Sequence, residues 1–241
     1  SDKQNLKKIL NSLKKHNIKI ISSGGTFKEI NRLGYNCREV SDFTGFPEIL
    51  NGRVKTLHPK IHAGILNKRN KKSHQHQMES YKFEDIDLVV VNFYPFEKTL
   101  EKTKSHDQII ENIDVGGPTM VRAAAKNYEN VVVLTRLEQY EKLIQELDQN
   151  KGYTSLGFRQ KLSEEAFLET ASYDAMISAY LIKKNRTILP NKKVITANLI
   201  EVLRYGENSH QNASIYSLSN SLNLKQLSGK KLSYNNYNDM Y

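Results

Sequence analysis

The chain has 241 residues, a formal net charge of +10, 38% hydrophobic residues and a mean hydropathy of −0.61. That length suffices for one large domain, or for one domain and part of a second. No apolar run approaches the roughly 20 residues of a membrane span, and a single cysteine, Cys37, excludes internal disulfides and a cysteine metal cluster. We therefore expect a cytoplasmic protein that binds neither a membrane nor a metal.

The basic charge raises the question of nucleic-acid binding. The densest basic run, residues 68–72, lacks interleaved aromatic side chains, and the other lysines are scattered. The chain is also rich in Asn and Ile, a bias that fits an AT-rich genome. We expect this run to form a solvated loop, without a nucleic-acid partner.

The first elements form a helix, a strand and a glycine turn. Apolar residues at helical spacing predict a helix over residues 5–15, and a short strand is predicted over residues 19–22. The turn Ser23-Gly24-Gly25-Thr26 follows, and Thr26 with Glu29 predicts a capping box for the next helix. Free backbone N–H groups and the helix dipole suit an anion at such a turn.

After a second strand predicted over residues 35–40 comes the basic stretch Gly52-Arg53-Val54-Lys55-Thr56-Leu57-His58-Pro59. If this stretch is extended, Arg53 and Lys55 point to the same side. A guanidinium and an ammonium together suit a phosphate, and Gly52 would let the backbone approach it. The alternative interpretation is a basic surface turn.

Residues 87–92 form an unbroken apolar run, which predicts a strand buried on both faces of a parallel sheet. The run ends in Asn92-Phe93-Tyr94-Pro95-Phe96. Polar groups just beyond the carboxyl end of a central parallel strand are typical ligand contacts.

A second glycine turn, Asp114-Val115-Gly116-Gly117-Pro118, opens a helix that reaches Lys126. It places an acid before the helix and a base near its far end. A buried strand is predicted over residues 130–134, and Thr135 with Glu138 predicts the cap of another helix.

Strands and helices alternate from residue 19 to 147, which predicts an α/β fold with a parallel sheet flanked by helices. A long helix over residues 158–183 extends this fold, and a strand over 193–195 begins a second α/β domain. We place the boundary near Pro190, giving domains 1–190 and 191–241. About fifty residues are too few for a stable domain of this composition.

These motifs, together with Ala123-Ala124-Ala125-Lys126-Asn127, occur in the order found in the bifunctional enzymes that join an IMP cyclohydrolase to an AICAR transformylase. The chain resembles that family over essentially its whole length. The resemblance implies a methylglyoxal-synthase-like fold and closure of the purine ring of formyl-AICAR to give IMP and water, without a cofactor. It also implies a homodimer.

The resemblance assigns the site residues. Lys55, Tyr94, Asp114 and Lys126 would be catalytic. The substrate would be bound by Ser23, Gly24, Gly25, Thr26, Arg53, Thr56, Asn92, Gly116 and Gly117, with the first four cradling its phosphate and Asn92 and Gly116 contacting the base or carboxamide. A simple helix cap is the alternative role for Asp114.

Residues 203–211 resemble the opening motif of the transformylase, although Ser209 stands where the family usually has Pro. Arg204 and Tyr205 would contact AICAR there, and 10-formyltetrahydrofolate would be the co-substrate. The family's Lys-His pair for formyl transfer would lie beyond Tyr241, so we expect this chain not to transfer formyl groups. The family also has a strand before Ser1, ending near the substrate phosphate.

Two other functions stay open, a different enzyme of the same fold such as methylglyoxal synthase, and an inactive fragment that binds nucleotide or dimerises. His58 and His62 have a zinc-compatible spacing, but Pro59 between them argues against a metal site. Cys37 is expected in the core, and Tyr173 and Asp174 are expected to make packing or dimer contacts.

Overall fold

The computed structural model describes residues 5–93, 96–218 and 227–240. The chain divides into two compact units, Ser1–Met176 and Ile177–Tyr241. In the described part of the chain, no helix is both long and apolar enough to cross a membrane.

The first unit alternates helices and short strands. Its helices are α1 (Leu6–Lys15), α2 (Gly24–Arg32), α3 (Val40–Thr44), α4 (Pro59–Leu66), α5 (Lys72–Ser80), α6 (Phe96–Lys102), α7 (His106–Glu111), α8 (Gly116–Lys126), α9 (Gln139–Gln149) and α10 (Leu156–Lys184), with a 3-10 turn at Leu50–Gly52. Its strands are β1 (Ile21–Ser22), β2 (Arg38–Glu39), β3 (Leu88–Val90) and β4 (Val132–Leu134). The division between the units falls inside α10.

The strands pair in parallel, which confirms the predicted α/β class. β1 pairs with β2, and β3 pairs with β4 in the register Leu88 to Val132. β4 is buried along its length, whereas Val90 of β3 is 38% exposed, so the expectation that β3 is buried on both faces is wrong at that residue. Residues of both strand pairs line a cleft of about 2330 Å³.

Helix α8 covers the β3–β4 pair and packs against α4. The run Ala123-Ala124-Ala125 is almost completely buried, and such small side chains let a helix approach its neighbours closely. This packing fixes both ends of α8 relative to the sheet.

Two predicted helix starts are wrong. α2 begins at Gly24 after Ser23, so Thr26 and Glu29 lie inside the helix and do not form its capping box. α9 begins at Gln139, whose side-chain oxygen accepts the N–H groups of Thr135 and Arg136 at 2.7 and 3.0 Å. The N-cap residue of α9 is Glu138, which makes no side-chain cap hydrogen bond, and Gln139 instead holds the loop that precedes the helix.

Residues 53–56 form turns between the 3-10 turn and α4, not an extended piece. Their backbone follows three consecutive residues with positive φ, Leu50 (51°), Asn51 (54°) and Gly52 (85°). The chain reverses here, so alternation of side chains along a strand does not apply to Arg53 and Lys55.

In the second unit, β5 (Asn198–Val202) pairs antiparallel with β6 (Ser214–Ser217), and α11 (Tyr234–Asn238) follows. The strand expected over 193–195 begins instead at Asn198, because residues 194 and 195 are exposed and find no strand partner in the described residues. The domain boundary near Pro190 stays a prediction.

Candidate active site

The first glycine turn and the basic stretch meet at Lys55. A Cβ added to Gly24 would lie 3.3 Å from the Lys55 Nζ atom, so the ammonium stands against the first turn of α2. Gly24 also has a φ of +54°, a conformation that glycine adopts without a steric penalty. Two motifs that are far apart in sequence therefore lie at one site.

Each cation of the basic stretch has a carboxylate partner. Lys55 Nζ lies 3.0 Å from Glu48 Oε1, and Arg53 forms an ion pair with Glu111. The hydrogen bond from the exposed Arg53 guanidinium to Glu111 raises the pKa of Arg53. Gly52 has a φ of +85°, a conformation that favours glycine, and a Cβ on it would come within 2.6 Å of Glu48 Oε1, so that side chain would have to move.

The basic stretch also contacts the second glycine turn. Thr56 Oγ1 lies so close to Gly116 that the backbone there has no room for a Cβ. Together with the Arg53–Glu111 pair, this contact joins residues 53–56 to the segment that runs from the end of α7 to the start of α8. The structure therefore brings together three of the motifs that the sequence singled out, the segments Ser23–Thr26, Arg53–Thr56 and Asp114–Gly117.

Asp114 acts as a side-chain cap of α8. Its Oδ1 accepts the N–H of Gly117 at 2.9 Å, and its carboxylate lies where a Cβ on Gly117 would be. Its own N–H donates to the hydroxyl of Tyr173 at 2.8 Å. The alternative role for Asp114 is thus realised, and a chemical role for the same carboxylate stays a prediction.

Asn92 lies just beyond the carboxyl end of β3, which ends at Val90. Its Nδ2 donates to the hydroxyl of Tyr140 at 2.9 Å, and Tyr140 is buried on α9. Tyr94, the other polar residue of this segment, lies outside the described residues.

Three residues that sequence reasoning did not place in the site support it. The hydroxyl of Tyr173, a residue expected to pack, holds the Asp114 backbone while its ring packs on Phe93 and Phe96. Tyr140 holds Asn92. The sequence signal that could have identified both residues is a tyrosine at a position of an apolar helix stripe where phenylalanine would also fit.

The third is His62 on α4. Its Nε2 is buried and has no hydrogen-bond partner among the described residues. Burial lowers the pKa of His62, and a hydrogen bond between its ring and the backbone of Thr56 opposes that shift. The ring thereby supports the residue whose Oγ1 contacts Gly116.

Lys126 is not brought to this place. It is exposed at the C-terminal end of α8, ten residues after Gly116. At 1.5 Å per residue, that separation is about 15 Å along the helix. Its predicted catalytic role stays a prediction.

Arg204 and Tyr205 lie in the second unit and contact each other. The Arg204 guanidinium stands 4.8 Å from the centroid of the Tyr205 ring, and Nη2 donates to the Tyr205 hydroxyl at 3.0 Å. This hydrogen bond lowers the pKa of Tyr205.

His58 is engaged as a helix cap, because its Nδ1 accepts the N–H of Lys60 at 3.1 Å. In the ranges that the structure describes, no three His, Cys, Asp or Glu side chains converge as metal ligands.

Two family models match the chain. The MGS-like domain covers residues 5–119, and the AICARFT/IMPCHase bienzyme model covers residues 124–241. The first match agrees with the expected methylglyoxal-synthase-like fold.

Curated relatives match over the full chain. The bifunctional purine biosynthesis protein PurH of Clostridioides difficile (strain 630) is 47% identical over 245 residues, covering 100% of this chain and 48% of the relative. The PurH protein of Prochlorococcus marinus subsp. pastoris (strain CCMP1986 / NIES-2087 / MED4) is 49% identical over 243 residues, with 100% and 46% covered. The chain thus spans about half the length of these relatives.

A solved structure matches the fold. The crystal structure of ForH superposes with a TM-score of 0.66 at 32% identity, covering 74% of this chain and 93% of that one.

Proposed function

The chain belongs to the family of AICARFT/IMPCHase bienzymes, and from that premise we propose that it is the IMP cyclohydrolase part of such an enzyme. Its first domain, residues 1–190, would close the purine ring of formyl-AICAR to give IMP and water. Residues 191–241 would belong to the transformylase domain.

One observation carries this proposal: the meeting of Lys55 with the first turn of α2, and of Thr56 with the start of α8. The substrate is a nucleotide monophosphate and needs a phosphate site beside a site for its reacting groups. Backbone N–H groups at a helix start, an ammonium and a guanidinium are the groups that bind phosphate in proteins. The cap of α8, with Asp114, lies next to them.

The reaction needs positioning and charge stabilisation. The carboxamide nitrogen attacks the formyl carbon, a C–N bond forms, and the formyl oxygen leaves as water after taking one proton from each nitrogen. That carboxamide nitrogen is a poor nucleophile, so holding it in attack geometry supplies much of the rate. Negative charge builds on the formyl oxygen, and the Lys55 ammonium is placed to stabilise it or the phosphate.

Asp114 would orient the carboxamide or accept its proton. The hydrogen bonds from Gly117 to the carboxylate and from the Asp114 backbone to Tyr173 hold that carboxylate in one orientation. Tyr94 and Lys126 complete the proposed catalytic set, with Lys126 helping to protonate the departing hydroxyl. None of these steps requires a cofactor.

For the whole protein we propose a second activity. The transformylase would transfer a formyl group from 10-formyltetrahydrofolate to AICAR, with Arg204 and Tyr205 contacting AICAR. We also propose a cytoplasmic homodimer that acts on small nucleotides.

A second candidate is an inactive fragment that binds nucleotide or dimerises. The cleft lined by Ile20, Val89 and other apolar side chains of both strand pairs favours it. The two strand pairs are separate two-stranded sheets in the described residues, and a core divided by a cleft would position the reacting groups poorly.

The test is IMP formation from formyl-AICAR by the purified chain. We expect turnover, and a loss of about a hundredfold or more in Lys55→Ala, because removal of one transition-state donor has effects of that size. Lys161→Ala, an exposed lysine paired with Glu164 on α10, is the control and should retain turnover. A folded chain that binds IMP but turns nothing over would favour the inactive fragment.

A further inference from the structure

We propose that the carboxylate of Glu48 occupies the phosphate site and competes with the substrate's phosphate for the Lys55 ammonium. A ligand that carries a phosphate would have to displace this carboxylate, whereas a ligand without a phosphate would not. This inference rests on the proposed function, because it concerns the phosphate site of a nucleotide substrate.

The position of the Lys55 ammonium calls for a nearby anion. It stands against the first turn of α2, where a Cβ on Gly24 would be 3.3 Å away. The N-terminal end of a helix carries a partial positive charge, so a cation there is unfavourable unless an anion accompanies it. Glu48 supplies that anion, with Oε1 at 3.0 Å from Nζ.

Gly52 leaves open the space in which the Glu48 carboxylate lies. A Cβ on Gly52 would come within 2.6 Å of Glu48 Oε1 and 3.4 Å of Lys55 Nζ. Glycine at this position therefore leaves room for an anionic oxygen beside the ammonium. A phosphate oxygen needs the same room, so the carboxylate and the phosphate would use the same place.

The charges at this site balance. Arg53 has its own carboxylate partner, Glu111, so two cations face two carboxylates. With all four groups engaged, their net charge is zero and a phosphate dianion gains no net attraction. Once the carboxylates are displaced, two positive charges face the two negative charges of the phosphate.

The carboxylate of Glu48 can move away from the Lys55 ammonium. The side chain of Glu48 is 45% exposed and that of Lys55 is 34% exposed. Ion pairs exposed to this extent are weak because water and salt screen them. Glu48 also lies outside the helices and strands, between α3 and the 3-10 turn, so its side chain can turn away without breaking helical hydrogen bonds.

The experiment compares the binding of IMP, inosine and inorganic phosphate by titration calorimetry. Glu48→Gln keeps the size of the side chain and removes its charge. We expect IMP and inorganic phosphate to bind about two- to fivefold more tightly to this variant, the range that corresponds to loss of a weak competing ion pair. Inosine, which has no phosphate, should bind equally well to both chains.

Two controls separate competition from a general charge effect. Asp148→Asn breaks a surface ion pair of similar length, Lys15 Nζ to Asp148 Oδ1 at 2.7 Å, and should leave IMP affinity unchanged. In a Lys55→Ala background, Glu48→Gln should lose most of its effect, because the two residues act through one contact. An equal gain in that background would overturn the inference, since Glu48 would then be only a nearby negative charge.

Equal or weaker IMP binding by Glu48→Gln would also overturn it, as would the absence of IMP binding by both chains. Circular dichroism checks that the variant is folded; if it is not, Glu48→Asp, which keeps the charge but shortens the reach, should show a smaller gain. Tighter IMP binding without turnover of formyl-AICAR would sink the proposed function and leave the competition at Lys55 standing. The two failures are therefore distinguishable.

Discussion

Helix α8 carries a family motif at each end, and the surroundings of the two ends differ. At its N-terminal end, Gly116 contacts Thr56, and Gly117 donates to the half-buried carboxylate of Asp114. At its C-terminal end, Asn127 is 3% exposed and donates to the carbonyls of Ile65 and Asn67 at 2.7 and 2.9 Å. One end meets charged groups that water reaches, and the other meets buried backbone.

The two ends of α8 therefore have different roles: the buried end contributes to folding stability, and the half-exposed end is available for binding. A buried amide that satisfies two carbonyls contributes to the free energy of unfolding, because its loss leaves buried acceptors unpaired. Half-exposed charges contribute little to folding and remain available to a ligand. Residues that are adjacent in sequence can therefore serve different purposes. Lys126 faces water, whereas Asn127 is buried in the core.

The strongest test of the comparison is Asp114→Asn. Its amide oxygen can still accept the N–H of Gly117, because Asn caps helices about as well as Asp. If the carboxylate orients the carboxamide or takes its proton, we expect kcat for IMP formation to fall about a hundredfold or more. The free energy of unfolding should change by about 0.5 kcal/mol or less.

Asp114→Ala is the control for the cap, since it removes both the charge and the hydrogen bond. Full activity in Asp114→Asn would mean that this residue is only a helix cap.

Lys126→Ala tests the C-terminal end of α8 in the same way. A loss as large as that of Asp114→Asn would show that both ends serve the reaction, and their separation of about 15 Å would point to a second copy of the chain.

The next test concerns the buried end. Asn127→Ala leaves the carbonyls of Ile65 and Asn67 without their donor, and we expect the free energy of unfolding to fall by about 2 kcal/mol. Urea unfolding measures this change, and kcat of the folded fraction should stay within about twofold. Asn150→Ala is the control, because Asn150 also ends a helix but is exposed. Equal losses in both variants would contradict the role assigned to burial.

Part of this arrangement was predictable from sequence. Apolar periodicity gave α1 and α10, and the glycine turns marked the starts of α2 and α8. The start of α9 was not predictable from Thr135 and Glu138, because the side chain of Gln139 reaches back and accepts the backbone N–H of Thr135, which holds Thr135 in the loop before the helix.

The partners of the charged site residues were not predictable either. Glu111 lies 58 positions from Arg53, and only the tertiary fold brings them together. The basic stretch suggested two cations on one side of a strand, but the positive φ angles at residues 50–52 turn the chain there. The hydrogen bonds of the Tyr140 and Tyr173 hydroxyls were not predictable, because an apolar stripe does not show where a hydroxyl points.

The smallest expected effect concerns His62 on α4, which supports Thr56 beside the N-terminal end of α8. Burial lowers the pKa of His62 in the folded chain below its ordinary value near 6.5. The unfolded chain therefore binds more protons than the folded chain between the two values, so stability is complete above about pH 6.5 and falls as the pH decreases toward the lowered pKa. Urea unfolding at several values between pH 5 and pH 7.5 should show this decline in the wild type and a flatter profile in His62→Gln. His76→Gln, at an exposed position on α5, controls for removal of any histidine. An unchanged slope in His62→Gln would mean that the ring gains a proton without disturbing the Thr56–Gly116 contact, and that the N-terminal end of α8 does not depend on a neutral histidine.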